Sequence, residues 1–118
     1  MVLKLIQYPR CTTCKKAEKW LKDNDIHFEA IHIVEQTPSK EELKTIWEKS
    51  ELPLKKFFNT SGMKYKELGL KDKLSSMSED EQLKLLASDG MLIKRPLVTD
   101  GEKVTLGFKE SDFIESWK

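Results

Sequence analysis

Two cysteines occur in the 118-residue chain, three positions apart in the run Cys11-Thr12-Thr13-Cys14. In a reducing compartment such a pair serves redox or metal chemistry better than structural cross-linking. The reactive form of a thiol is its thiolate, and an ordinary thiol is mostly protonated at neutral pH, so something must hold the anion. A sulfur placed where a strand gives way to a helix meets unpaired N–H groups and the positive end of the helix dipole, and both favour the thiolate. Cys11 is placed to be that nucleophile, with modest attraction added by Arg10 and Lys15. Cys14, in the first helical turn and more shielded, is placed to attack a mixed disulfide on Cys11 and so close a redox-active Cys11–Cys14 disulfide.

Three further groups belong to the same constellation. Thr12 and Thr13 offer hydroxyls or free amides to a thiolate or substrate, although threonine is also common at helix starts for capping reasons alone. Downstream, Arg95 precedes Pro96, and a proline just ahead of a strand can hold a cis peptide. If Arg95 lies beside Cys11, its guanidinium can stabilise the thiolate or grip an oxyanion through paired hydrogen bonds. If it does not, it is a solvated surface arginine.

The spacing Cys11-x2-Cys14-x12-His27-x4-His32 also fits a two-Cys, two-His zinc finger. Such a finger puts its cysteines on a hairpin and its histidines on the following helix. Here the helical pattern follows Cys14 and the histidines flank or enter a strand. Five positions apart, they point to opposite faces of a regular strand, so no metal site is expected.

The elements that must position the thiols follow from apolar spacing and breakers. Residues 2–8 are rich in aliphatic side chains and stop at Pro9, which predicts a buried strand running into a turn. Over residues 14–24, Cys14, Ala17, Trp20 and Leu21 recur at helical spacing, with lysines largely on the other face. A second strand is predicted over residues 28–34, completing a βαβ unit. Ser39 with Glu42 and Ser78 with Glu81 are capping-box patterns, opening one helix through Ser50 and another that ends at Asp89-Gly90. Pro53 starts a short element and residues 59–62 form a loop. Residues 97–99 and 104–106 flank Asp100-Gly101-Glu102-Lys103 as a β-hairpin, and residues 111–117 close the chain as a helix. Trp20, Trp47, Phe57 and Trp117 read as core residues. This order predicts an α/β, thioredoxin-like domain spanning residues 1–118, with a mixed central sheet, flanking helices and a helical insertion.

Composition excludes several classes. With 38% hydrophobic and 35% charged residues the chain suits an ordered globular protein rather than a disordered one. A net charge of +1 supplies no general attraction to nucleic acid, and the lysines of the first helix read as a solvated face. The apolar run at residues 2–6 is interrupted by Lys4 and is too short for a signal peptide or a membrane span. A cytoplasmic monomer with no membrane and no direct nucleic-acid contact is expected.

Tyr8-Pro9-Arg10-Cys11-Thr12-Thr13-Cys14-Lys15-Lys16-Ala17 resembles the active-site start of the ArsC/Spx family, and Lys94-Arg95-Pro96-Leu97 resembles its second signature. The stretch Tyr65-Lys66-Glu67-Leu68-Gly69-Leu70 and the ending at 104–108 also fit, so the likeness spans nearly the whole chain. In the glutaredoxin-coupled arsenate reductases of that family, the resemblance implies a first cysteine that attacks arsenate and three arginines that bind the oxyanion. Arg95 matches one arginine, while Asn59 and Phe108 stand at the other two. Loss of two guanidinium groups weakens oxyanion recognition, since charge-assisted bidentate contacts are among the stronger polar interactions. The resemblance implies no bound cofactor, with glutathione, glutaredoxin or thioredoxin as electron donor. Its Spx branch, which retains a two-cysteine switch and a pair like Gly107-Phe108, implies an alternative: a redox-sensing regulator that binds the C-terminal domain of the α subunit of RNA polymerase. For that reading residues 59–62 are contact candidates.

Overall fold

The computed structural model describes residues 3–118. The first strand, β1 (Leu3–Gln7), places Leu3 and Leu5 on one face of the sheet and Ile6 on the other, as strand alternation requires. Of the strand predicted over 2–8, Val2 lies outside the described residues. A turn at Tyr8–Arg10 leads into helix α1 (Thr12–Asp23), whose buried residues Cys14, Ala17, Trp20 and Leu21 form the predicted stripe. The helix begins two residues earlier than its apolar spacing suggested. Cys11 itself caps it: the Cys11 sulfur accepts the Cys14 N–H at 3.2 Å.

Strand β2 (Phe28–His32) then pairs in parallel with β1, with Leu3 opposite Phe28 and Gln7 opposite His32. It stops short of the predicted Val34, because Thr37 Oγ1 donates to the carbonyl oxygens of Ile33 and Val34 and closes a turn. Both capping boxes are present, at the starts of α2 (Lys40–Ser50) and, further on, of the helix that follows Ser78. Between them lie a 3-10 turn (Leu54–Phe57), the short helices α3 (Met63–Glu67) and α4 (Leu70–Lys73), and a second 3-10 turn (Leu74–Ser76). Helix α5 (Glu79–Ser88) and a third 3-10 turn (Gly90–Leu92) return the chain to the sheet. The hairpin of β3 (Leu97–Thr99) and β4 (Val104–Leu106) forms at the predicted residues, and α6 (Glu110–Trp117) closes the chain.

Strand order is β2-β1-β3-β4, with β3 antiparallel to β1. This is the mixed thioredoxin-like sheet expected from the sequence. Helices α1 and α6 cover one face through Leu3, Leu5, Trp20, Leu21, Val98 and Phe113. The insertion covers the other through Ile6, Leu43, Phe57, Leu86, Ile93 and Leu97. Trp20 and Phe57 are buried as predicted, while Trp47 and Trp117 are partly buried and donate their indole N–H groups to Leu52 O and Thr105 Oγ1. Among the described residues no helix is long and apolar enough to cross a membrane.

Candidate active site around Cys11

Three separate stretches of chain meet at the N-terminus of α1. The first is the β1–α1 turn, held by the Cys11 N–H donating to the Tyr8 carbonyl at 3.0 Å and the Lys15 N–H donating to the Cys11 carbonyl at 3.1 Å. The second is the segment before β3, where the Arg95–Pro96 peptide is cis. The third begins the helical insertion. It is pinned to the second by an isolated antiparallel bridge between Phe58 and Ile93, in which Asn59 N–H donates to Leu92 O at 2.8 Å and Lys94 N–H to Phe57 O at 2.7 Å. That bridge carries Asn59 to the site.

Together they line an open cleft of about 760 Å³ that includes Cys11, Thr13, Asn59, Lys64, Lys94 and Arg95. Cys11 is half-buried and Cys14 fully buried, and both are free thiols. Burial pushes the Cys14 thiol up to about 12, helped by its hydrogen bond to Cys11 and by the neighbouring sulfur's charge. The Tyr8 main chain and the Arg95 charge pull the other way. Desolvation wins because an anion at a site closed to water loses its hydration. In this state Cys14 is a protonated thiol behind an accessible one.

Arg95 lines the same cleft as Cys11 and is half-buried there. Its Nη1 donates to Met91 O at 3.4 Å, its guanidinium carbon sits 5.4 Å over the Tyr8 ring centroid, and its Nε is buried without a hydrogen-bond partner. Thr12 and Thr13 are both exposed; Thr13 lines the cleft and Thr12 lies outside its lining. Pro96 is buried, and its carbonyl accepts the Gly107 N–H at 2.9 Å. Asn59 also lines the cleft, with its loop turned by a Gly62 N–H bond to Asn59 O at 3.0 Å. Gly62 gives the Asn59 carboxamide its room: a Cβ there would stand 2.7 Å from Asn59 Nδ2. Phe108 points elsewhere. Its ring packs edge-on against Phe113 at 4.8 Å in the opposite core.

Neither histidine lines this cleft. His27 is exposed, and His32 Nδ1 accepts the N–H groups of Val34 and Glu35, both at 3.2 Å, while its ring meets Tyr8 edge-on at 5.9 Å. Among the described residues no cluster of three or more His, Cys, Asp or Glu side chains is arranged to hold a metal ion.

Sequence reasoning did not single out Tyr8, Lys64 or Lys94 as part of this site. Tyr8 and Lys94 are the first residues of the two motifs, a signal that could have found them. Lys64 carries none, because only the folding back of the insertion brings it to the cleft.

Residues 6–115 match the family model described as ArsC family. The chain is 68% identical to the uncharacterised protein YusI of Bacillus subtilis (strain 168), covering 99% of each chain. It is 31% identical to the regulatory protein MgsR of the same organism, over 96% of this chain and 88% of that one. Among solved structures, a possible arsenate reductase from Streptococcus mutans UA159 is 45% identical, with a TM-score of 0.88 over 96% of this chain and 98% of that one.

Proposed function

The chain belongs to the ArsC family, and from that premise we propose that it is a thiol-dependent oxidoreductase in which Cys11 attacks, Cys14 resolves and Arg95 steadies anionic sulfur or substrate. The observation that carries this reading is the position of Cys11. Its sulfur is the cap of a twelve-residue helix, opens into a cleft shared with Arg95, and has a second thiol buried one turn behind it.

The steps balance as a two-electron transfer. The Cys11 thiolate attacks one sulfur of a substrate disulfide, forming a mixed disulfide and expelling the other sulfur as a thiolate. Cys11 is then uncharged, which removes the repulsion and the thiol–thiol hydrogen bond that help keep Cys14 protonated. Cys14 gives its proton to the departing thiolate and attacks Cys11, so that the Cys11–Cys14 disulfide forms and the second substrate thiolate leaves. Glutathione, glutaredoxin or thioredoxin would restore the dithiol. Arg95, always cationic, fits the role of stabilising each leaving sulfur. Thr13 and Asn59 offer hydrogen bonds to substrate, while Pro96, outside the cleft lining, contributes through the cis peptide it forms with Arg95.

A disulfide substrate suits this cleft better than arsenate. Asn59 puts a neutral carboxamide where a guanidinium would grip an oxyanion, and Phe108 is committed to the core. Parallel assays with a model disulfide and with arsenate, each with glutathione and glutaredoxin, test the reading. Cys11→Ser should abolish turnover and Cys14→Ser should accumulate a mixed disulfide detectable by mass. Turnover that survives Cys11→Ser would refute it.

A second reading has a specific basis: the match to MgsR, a protein named as regulatory, runs along 96% of this chain. In it the Cys11–Cys14 disulfide would bias the start of α1 and alter a surface, including residues 59–62, that binds RNA polymerase through its α subunit. It predicts redox-dependent co-purification with RNA polymerase without appreciable turnover.

A further inference from the structure

Arg95 is a cation with no acidic partner. None of the ion pairs among the described residues involves it. Its one hydrogen bond, to Met91 O, is long at 3.4 Å, and its buried Nε has no acceptor. A guanidinium on a flexible stem with so few polar restraints samples several positions, and any role beside Cys11 requires that it hold one. Its other close neighbour is the face of Tyr8, 5.4 Å from the guanidinium carbon and within the range where a ring quadrupole attracts a cation.

Tyr8 is itself fixed from three sides. Its carbonyl accepts the Cys11 N–H at 3.0 Å, so the residue that carries the ring also sets the turn that presents the sulfur. His32 packs edge-on against the ring at 5.9 Å and 87°. The His32 ring in turn is locked by the two N–H groups that donate to its Nδ1. The Tyr8 ring also packs against the core cluster that contains Ile6 and Leu97, the neighbours of both motifs.

We infer that Tyr8 is a positioning residue: its ring is the platform that holds the Arg95 guanidinium over the cleft beside Cys11, and His32 braces that platform. The inference rests on the thiol-redox reading and adds to it a residue that acts through Arg95 without touching substrate. A carboxylate partner would fix the guanidinium equally well but would cancel the charge offered to an anionic sulfur. An aromatic face fixes it and leaves that charge available.

The test is a double-mutant cycle read by the rate at which iodoacetamide alkylates Cys11 at neutral pH, with the modified residue identified by mass. Tyr8→Phe keeps the aromatic face and should stay within about twofold of the parent. Tyr8→Leu keeps apolar bulk without the quadrupole and should slow alkylation about three- to tenfold, to the level of Arg95→Gln. Tyr8→Leu combined with Arg95→Gln should be no slower than Arg95→Gln alone. If the two substitutions multiply, or if Tyr8→Leu matches the parent, Tyr8 does not act through Arg95. A second arm needs no chemistry at sulfur. In proton NMR spectra the Arg95 side-chain resonances should lie upfield under the Tyr8 ring current, stay there in Tyr8→Phe and move downfield in Tyr8→Leu; unshifted resonances in the parent would overturn the platform. Ordinary Cys11 reactivity in the parent would refute the oxidoreductase reading, while the NMR arm would still decide the placement of Arg95.

Discussion

The main-chain N–H of Cys14 donates to the sulfur of Cys11 across 3.2 Å, so the buried cysteine helps to hold the accessible one. The arrangement follows from helix geometry. The third residue of the helix has an N–H with no partner inside the helix, and the cap side chain is the group within reach. The two thiols therefore share a turn but not an environment: one faces the cleft and the other is closed off from water.

The first prediction concerns alkaline pH. Burial, then the hydrogen bond to Cys11, pushes the Cys14 thiol from 9.0 up to about 12. Below pH 9 both folded and unfolded chains keep this proton and its contribution is constant. Between pH 9 and 12 the unfolded chain releases the proton and the folded one retains it, so stability falls as pH rises. The reduced parent should lose about 1.4 kcal/mol more per pH unit in that window than Cys14→Ala, measured by urea unfolding. Equal slopes would mean that Cys14 is not held protonated.

Asn59 offers a gain-of-function experiment. Replacing its carboxamide by a guanidinium adds a charge-assisted donor to the cleft that Cys11 also lines. In Asn59→Arg the phosphate or arsenate concentration that half-protects Cys11 from alkylation should fall by about tenfold, the scale of one charged hydrogen bond. Unchanged protection would place residue 59 out of reach of a bound oxyanion.

Gly90 tests the junction between the insertion and the sheet. A Cβ there would stand 2.8 Å from the Ile33 carbonyl carbon and nearer still to its oxygen, which is main chain and cannot swing aside. Gly90→Ala should cost about 1–3 kcal/mol in urea unfolding, the usual penalty of forcing extra volume into a packed region. A neutral substitution would show that the 3-10 turn at Gly90–Leu92 does not press on the end of β2.

Phe113 anchors α6 to the face of the sheet that carries α1. It is fully buried, edge-on to Trp20 at 5.4 Å and to Phe108 at 4.8 Å. Phe113→Ala should destabilise the fold by about 3–5 kcal/mol, because it removes buried surface and leaves a cavity between two aromatic rings. A loss below about 1 kcal/mol would mean that α6 frays independently of the core.

Much of this molecule was written locally. Ser39 with Glu42, Ser78 with Glu81, and the hairpin around Asp100-Gly101 each depend on groups a few residues apart, so the chain states them wherever it is read. The start of α1 was less legible because the cap is a cysteine rather than one of the usual capping residues, and the stripe of buried side chains does not begin until Cys14. The two cysteines stood out as candidates from residue type and spacing, whereas Arg95 was a candidate only on condition that the fold brought it to Cys11.

What brought them together was not written in any short stretch. The Phe58–Ile93 bridge joins residues 35 positions apart and delivers Asn59 to the cleft, while the turn of Phe108 into the opposite core removes it from the same cleft. The face of Tyr8 under Arg95 is likewise a consequence of β1 and β3 lying side by side. Spacing fixes which groups a helix or strand presents, since those periodicities are properties of the backbone. Which of them meet depends on how separate elements bury their apolar faces against one sheet, and that is settled only when the whole core packs.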